Sequence, residues 1–195
     1  MIKSITEYTI NNNMDRNILI AQLSSKIFPN PKHDGKTKLA SVLVIIYGLE
    51  PNVLMIKKST KLNYHAGEIA FPGGKWTDDD HDLLDTALRE TQEEIGITLS
   101  REKIIGQLEN VRTLNSGFTI TPFVCVIDKI PLLKTNNEVE SVLHIPLIPL
   151  LQTLDDDEDP EHHSLQEMYT FTYKDKVVWG ASARILKNLF NRLSI

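Results

Sequence analysis

Short apolar runs of strand length dominate the chain, and they are interrupted by segments whose apolar residues recur at helical spacing. Residues 39–46, LASVLVII, form an unbroken run rich in β-branched residues, the pattern of a strand covered on both faces. VLMIKKS follows a GLEPN turn and predicts the second arm of a hairpin. EIAFPGG predicts a brief strand ending in a Pro-Gly-Gly turn. Further strands are expected over Ile104–Thr113 and Phe118–Ile127, joined by a turn at NSG, and over Val139–Ile145. Met168–Tyr173 and Val177–Trp179 predict a terminal hairpin. Ile18, Leu19, Ala21, Gln22 and Leu23 fit a short helix with Asp15 as N-cap, and PLIPLLQTL a second. Ser182–Leu193 predicts a closing helix with Ile185, Leu186, Leu189 and Leu193 on one side. Many strands, one interrupting polar helix and one closing helix predict an α+β fold. No composition break divides it, so residues 1–195 read as one domain, with 1–36 an extension of unassigned role and 152–163 an acidic loop.

The interrupting helix lies in GEIAFPGGKWTDDDHDLLDTALRETQEEIGI. Asp80 or Asp82 can cap it near Leu83, and Gly96 can end it in a left-handed turn. At 100° per residue, Leu84, Ala87, Leu88, Thr91 and Ile95 make one apolar stripe. Glu90, Glu93 and Glu94 fall on the neighbouring arc, where like charges one turn apart cost ~0.2–0.5 kcal/mol per pair. Such a trio calls for a counter-charge. Arg89, four residues before Glu93, is one candidate, and a hard divalent cation is the other, because Mg²⁺ takes several oxygen ligands and leaves room for phosphate. The Gly-Gly turn upstream can bring backbone carbonyls to the same place. A solvated surface helix studded with Glu is the alternative reading.

Composition narrows the function classes. The 195 residues are 41% apolar and 24% charged, enough for one domain with a real core and unlike collagenous, coiled-coil or disordered chains. The single cysteine, Cys125, allows no internal disulfide and no cysteine zinc cage, and within FVCVI it reads as a core residue. The net charge is −5, and the six acids between Asp155 and Glu161 more than account for it. Those acids read as a solvated loop; His162 and His163 beside them lack ligand spacing for a metal. No Lys/Arg block points to nucleic acid, whereas a small anion needs only a few placed cations. No apolar run reaches the roughly 18–20 residues of a membrane span. The opening MIKSITEYTINNN lacks a signal-peptide core, so a cytoplasmic location is expected.

In this register the segment resembles the box of the Nudix hydrolases, G-x5-E-x7-R-E-U-x-E-E-x-G-U with U apolar. Arg89, Glu90, Glu93, Glu94, Gly96 and Ile97 match, and Thr91 stands at the first U. The box expects Glu at His81 and Gly at Lys75, so the spacer from Gly74 to Arg89 is one residue longer than standard. That longer spacer is similar to the coenzyme A pyrophosphatase subgroup, whose upstream motif is L-L-T-x-R-[SA]-x3-R-x3-G-x3-F-P-G-G. Here LMIKKSTKLNYHAGEIAFPGG matches at Leu54, Ser59, Gly67, Phe71, Pro72, Gly73 and Gly74. Lys58 replaces the first Arg and Asn63 the second, which loses a planar fork and a charge respectively. NSGFTITPFV, EVESVLHIPL and WGASARIL also look like the subgroup, so the resemblance runs from about Leu39 to Leu186.

The resemblance implies a Nudix-type α/β/α sandwich with a mixed sheet between helices. It implies a metal-dependent pyrophosphohydrolase in which Glu90, Glu93, Glu94 and the Gly74 carbonyl hold Mg²⁺ or Mn²⁺. Arg89 would orient Glu93. Glu93 is the local candidate for general base and Glu138, in NNEVES, the distal one, with a solvated loop acid as the other reading of Glu138. Lys58, Lys61 and His65 lie where substrate phosphates would be gripped; strand alternation puts Lys57 and Lys58 on opposite faces. The implied substrate is a small nucleotide, coenzyme A or its derivatives, cleaved to 3′,5′-ADP and 4′-phosphopantetheine. Another nucleoside diphosphate derivative such as ADP-ribose or NADH, or a non-catalytic ligand-sensing module, is the alternative. No oligomeric state is assigned.

Overall fold

The computed structural model describes residues 15–30, 37–113, 116–156 and 168–195. The expected acidic loop falls mostly outside these residues, as do His162 and His163. Strand β1 (Lys38–Tyr47) is the spine. It runs parallel to β7 (Phe118–Ile127) through ten consecutive residue pairs, from Lys38↔Phe118 to Tyr47↔Ile127. On the far edge of β7 lie β5 (Ile104–Gln107) and β6 (Val111–Arg112), both antiparallel to it. The single strand expected over Ile104–Thr113 is therefore two. On its other edge β1 has two partners: β2 (Asn52–Lys58) pairs with residues 45–47, and β4 (Gly73–Lys75) with residues 40–42. β2 in turn pairs with β3 (Ile69–Ala70) and with β8 (Val139–Pro146).

This arrangement opens a wedge. β1 and β2 are paired at one end and separated at the other, and Ile69–Lys75 fills the gap, with the Leu43 N–H donating to the Pro72 carbonyl (2.9 Å). The Gly-Gly pair is therefore part of a strand, where a turn was expected. Turn chemistry in the sequence is overridden by the free edge of β1, whose backbone groups need partners.

Two apolar layers cover the sheet. On one face α2 (Leu83–Ile95) buries Leu83, Leu84, Ala87 and Ile95 against Leu39, Leu43, Ile45, Leu54, Ile56, Phe123 and Cys125. On the other, α1 (Arg16–Leu23), α3 (Leu147–Leu151) and α4 (Gly180–Leu193) pack against Val44, Ile46, Val53, Met55 and Val124. The alternation of β1 between these layers explains its continuous apolar sequence. The result is an α/β/α sandwich around a mixed sheet. A smaller antiparallel sheet of β9 (Asp155–Asp156), β10 (Tyr169–Tyr173) and β11 (Lys176–Val178) leads into α4. Cys125 is buried, and its thiol is pushed up to about 12 by that burial, consistent with an inert core residue. Trp179 is half-buried at the N-terminus of α4 rather than in the core.

Candidate active site where strand β4 meets helix α2

Helix α2 begins where Asp82 accepts the N–H groups of Leu84 and Asp85, and ends at Gly96 with φ 75°. Arg101 pairs with Asp82 and with Asp85, tying the helix start to the segment after α2. Asp80 has a different task. Its side chain sits 3% exposed beneath Arg89 and accepts a two-pronged guanidinium contact, Nε to Oδ1 at 2.7 Å and Nη2 to Oδ2 at 2.9 Å. The Thr77 N–H and the Thr86 hydroxyl also donate to Asp80 Oδ2. Arg89 holds the Asp80 carboxyl down to about 2.

From that anchor Arg89 Nη1 reaches Glu90 Oε1 (3.0 Å) and Glu93 (3.3 Å), while Nη2 donates to the Lys75 carbonyl (3.4 Å). Arg89 thus lies between two of the three box glutamates, fixed from below by a third acid. Glu94 is turned the other way, into the sheet, and is 2% exposed. Its Oε2 accepts the Gly73 N–H (2.9 Å) and its Oε1 pairs with Lys58 Nζ (3.3 Å). Burial raises the pKa of Glu94, and likewise that of Glu90. Burial of Glu94 argues against a merely solvated acidic face.

Gly74 is glycine for a local reason: a Cβ there would stand 2.4 Å from the Glu90 carboxyl carbon. Glu90, Glu94, Gly73 and Gly74 thus come together where β4 crosses under α2. Four carboxylates, of Asp80, Glu90, Glu93 and Glu94, face two cations, of Arg89 and Lys58, leaving two negative charges in excess. Hard oxygen donors with that surplus fit a divalent cation in chemistry. Among the described residues no three acidic, His or Cys groups converge as a ready-made cage, because Arg89 and Lys58 stand among the carboxylates.

The other residues singled out from the sequence distribute around this centre. Glu138 is exposed; its carbonyl accepts the Ser59 N–H (2.8 Å), and the same loop caps the end of α2 through Asn136 N–H to the Glu94 carbonyl (3.1 Å). Lys57 and Lys58 do face opposite ways, Lys57 to Glu140 (2.6 Å) and Lys58 to Glu94. His65 is exposed with φ 59° and pairs with Glu68 (3.0 Å). Lys61 is exposed and enters no ion pair among the described residues. From the sequence alone Asp80 reads only as a possible cap and Lys58 only as a substrate contact. The second had a readable signal: with period two, Lys58 shares the face of Leu54 and Ile56, which is the face α2 covers.

The Asp80 contact carries a pH signature. A carboxyl that lies near 3.8 when free and at about 2 when folded favours the folded state by about 2 kcal/mol above pH 4, and that gain disappears as pH falls toward 2. Asp80→Asn is therefore expected to lower unfolding free energy by about 2 kcal/mol at pH 7, measured by urea titration. The gap to the parent should narrow as pH drops from 4 to 2.

A NUDIX domain model matches residues 37–172, well over half of the chain. The chain belongs to the NUDIX family. It is a Nudix hydrolase, an enzyme acting on phosphoanhydride bonds. Over 166 residues, 80% of each chain, it is 35% identical to the uncharacterized Nudix hydrolase NudL of Yersinia pestis and, equally, to that of Yersinia pseudotuberculosis. Its fold resembles a MutT/nudix family protein from Enterococcus faecalis, with TM-score 0.58, 20% identity, 87% of this chain covered and 65% of the other, just under two thirds of its length. It also resembles the NUDIX domain of Shewanella oneidensis NrtR, solved complexed with ADP ribose, with TM-score 0.50, 21% identity, 71% of this chain and 88% of the other. Helix α1 lies outside the matched segment yet packs on α4 and β5 in the same core. Among the described residues no helix is long and apolar enough to cross a membrane.

Proposed function

We propose that this Nudix hydrolase cleaves the diphosphate of coenzyme A or its acyl and oxidised forms, giving 3′,5′-ADP and a 4′-phosphopantetheine product, with Mg²⁺ or Mn²⁺ as cofactor. The observation that carries the hydrolytic centre is the junction of Glu90 and Glu94 with Gly73 and Gly74 beneath α2. The coenzyme A assignment rests on the upstream motif LMIKKSTKLNYHAGEIAFPGG and on the longer spacer before Arg89. A single domain over residues 1–195 and a cytoplasmic location belong to the same proposal.

Glu90, Glu93, Glu94 and the Gly74 carbonyl are the groups that would hold the cation. When bound, it would neutralise charge on the phosphoryl oxygens and make a bound water more acidic. The chain's own residues do the rest. Asp80 fixes Arg89, and Arg89 holds the Glu90 and Glu93 carboxylates in place from one side. The Gly73 N–H and Lys58 hold Glu94 from the other. Of the three box acids Glu93 is the one open to water, with its side chain 55% exposed, which suits it to accept a proton from an attacking water. Glu138, on the loop that caps α2, is the second candidate for that role.

A second reading, hydrolysis of ADP-ribose or a similar nucleoside diphosphate derivative, is favoured by Asn63, which stands where the coenzyme A motif has Arg. The ligand of the NrtR domain belongs to that class. Incubation with a pool of diphosphate metabolites and Mn²⁺, followed by mass spectrometry of the products, separates the two. We expect 3′,5′-ADP and a phosphopantetheine to appear. Strong cleavage of ADP-ribose beside untouched coenzyme A would replace the first reading by the second.

A further inference from the structure

The cations that the sequence offered for gripping a substrate phosphate are mostly committed elsewhere: Lys57 to Glu140, Lys58 to Glu94 and His65 to Glu68. A different pair is left at the end of the sheet beside Gly74. Lys38 opens β1 and Lys75 closes β4, and both are exposed. Registers fix their placement. Phe118 is directly across from Lys38 on β7, and Lys75 is across from Ala40, two residues further along β1. Side chains two apart along a strand, or opposite each other across a pair, share a face. Lys38, Lys75 and Phe118 therefore share the face turned away from α2, since Leu39 and Leu43 take the α2 side.

The two ammonium groups converge on one ring. Lys38 Nζ lies 5.6 Å and Lys75 Nζ 5.5 Å from the centroid of half-buried Phe118. Lys38 also donates to the Ser116 carbonyl (3.2 Å). Neither lysine has a carboxylate within ion-pair distance among the described residues. Two like charges held at one aromatic ring repel each other, and the attraction of a solvated ammonium to such a ring is only ~0.5–1 kcal/mol. An anion between them would relieve the repulsion, while the ring offers an apolar surface to a base or sugar.

We infer that Lys38, Lys75 and Phe118 form a subsite for a phosphomonoester carried on the nucleoside of the substrate, separate from the diphosphate that is cleaved. The inference rests on the reading that the Gly74 end of α2 is the catalytic centre. Gly74 and Lys75 are successive residues facing opposite sides of one strand, so the subsite requires a substrate that wraps over β4 from the α2 face to the other. A 3′-phosphonucleoside diphosphate has such a second phosphate; ADP-ribose has none, so this subsite would decide between the two substrate classes.

Calorimetric titration with adenosine 3′,5′-bisphosphate and with adenosine 5′-monophosphate tests the subsite without turnover. The parent protein is expected to bind the bisphosphate at least about tenfold more tightly. In the Lys38→Gln/Lys75→Gln double variant that preference should shrink to about threefold or less, while monophosphate affinity changes by less than about threefold. Phe118→Leu should weaken both ligands together. Thermal unfolding of each variant verifies that the fold is retained. A parent that binds both nucleotides equally, or neither, would overturn the subsite, and so would a double variant that keeps the full preference. A parent that prefers the bisphosphate yet does not turn over coenzyme A would instead remove the proposed reaction and leave the subsite standing.

Discussion

Glu94→Gln is expected to lower kcat by about 10³-fold or more while changing folding free energy by no more than about 1 kcal/mol. The two halves of that expectation come from the same geometry. Glu94 is buried against β4, and its carboxylate accepts the Gly73 N–H and pairs with Lys58. A glutamine keeps the acceptor for Gly73 and the volume of the side chain. It loses the pair with Lys58, but Lys58 sits on a flexible stem whose side chain is already 19% exposed. Burial raises the Glu94 pKa, so the charged form is disfavoured in the folded state and a neutral amide relieves that cost. What the amide cannot supply is an anionic oxygen for a cation. Steady-state kinetics beside a thermal melt checks both halves. A variant with substantial turnover would detach this glutamate from the chemistry, and a large loss of stability would make it a structural residue.

The adjacent glycines are expected to respond in opposite ways to alanine. At Gly73, φ is +149° and a Cβ would lie 2.3 Å from the Ser41 carbonyl oxygen and 2.6 Å from the Val42 Cα, both backbone atoms of the central strand. Neither can yield without breaking the β1–β4 pairing, so Gly73→Ala should cost about 3 kcal/mol or more. At Gly74 the three atoms nearest the added methyl all belong to the Glu90 carboxylate, the mobile end of a long side chain. Gly74→Ala should therefore cost about 1 kcal/mol or less in stability but about 10²-fold in kcat, because Glu90 must leave its position. Urea unfolding and kinetics on the two variants separate the effects. Equal stability losses would mean that β4 is not held as described, and an active Gly74→Ala would make the placement of Glu90 irrelevant to catalysis.

Local pattern revealed the elements whose cause is local. Helix α2, its Asp82 cap and its Gly96 terminator follow from residues within one segment, as do β1, β2 and β7. The Nudix box made the three glutamates and Arg89 legible because they share one helix in a long register. The resemblance also implied the mixed sheet, but the ten-pair parallel match of β1 with β7 joins residues about 80 apart, beyond any local spacing rule. Gly73–Lys75 looked like a turn because Pro-Gly-Gly is turn chemistry; its strand character comes from the unpaired edge of β1, which no local window contains. Asp80 was hidden for another reason. In a run of four acids out of five residues each aspartate is an equal candidate, and only the fold selects the one that reaches Arg89. Strand alternation separates Lys58 from Lys57 but does not name its partner, which lies 36 residues away on α2.

The central claim is that α2 and β4 are built to hold a divalent cation against a phosphoanhydride. Crystals soaked in Mn²⁺ and measured for anomalous scattering at the manganese edge test it most directly. The account requires an anomalous peak bound by Glu90 and Glu94 beside Gly74, with Asp80 still clasping Arg89. Manganese-free maps at millimolar Mn²⁺, with Lys58 and Arg89 keeping all their carboxylate contacts, would contradict it.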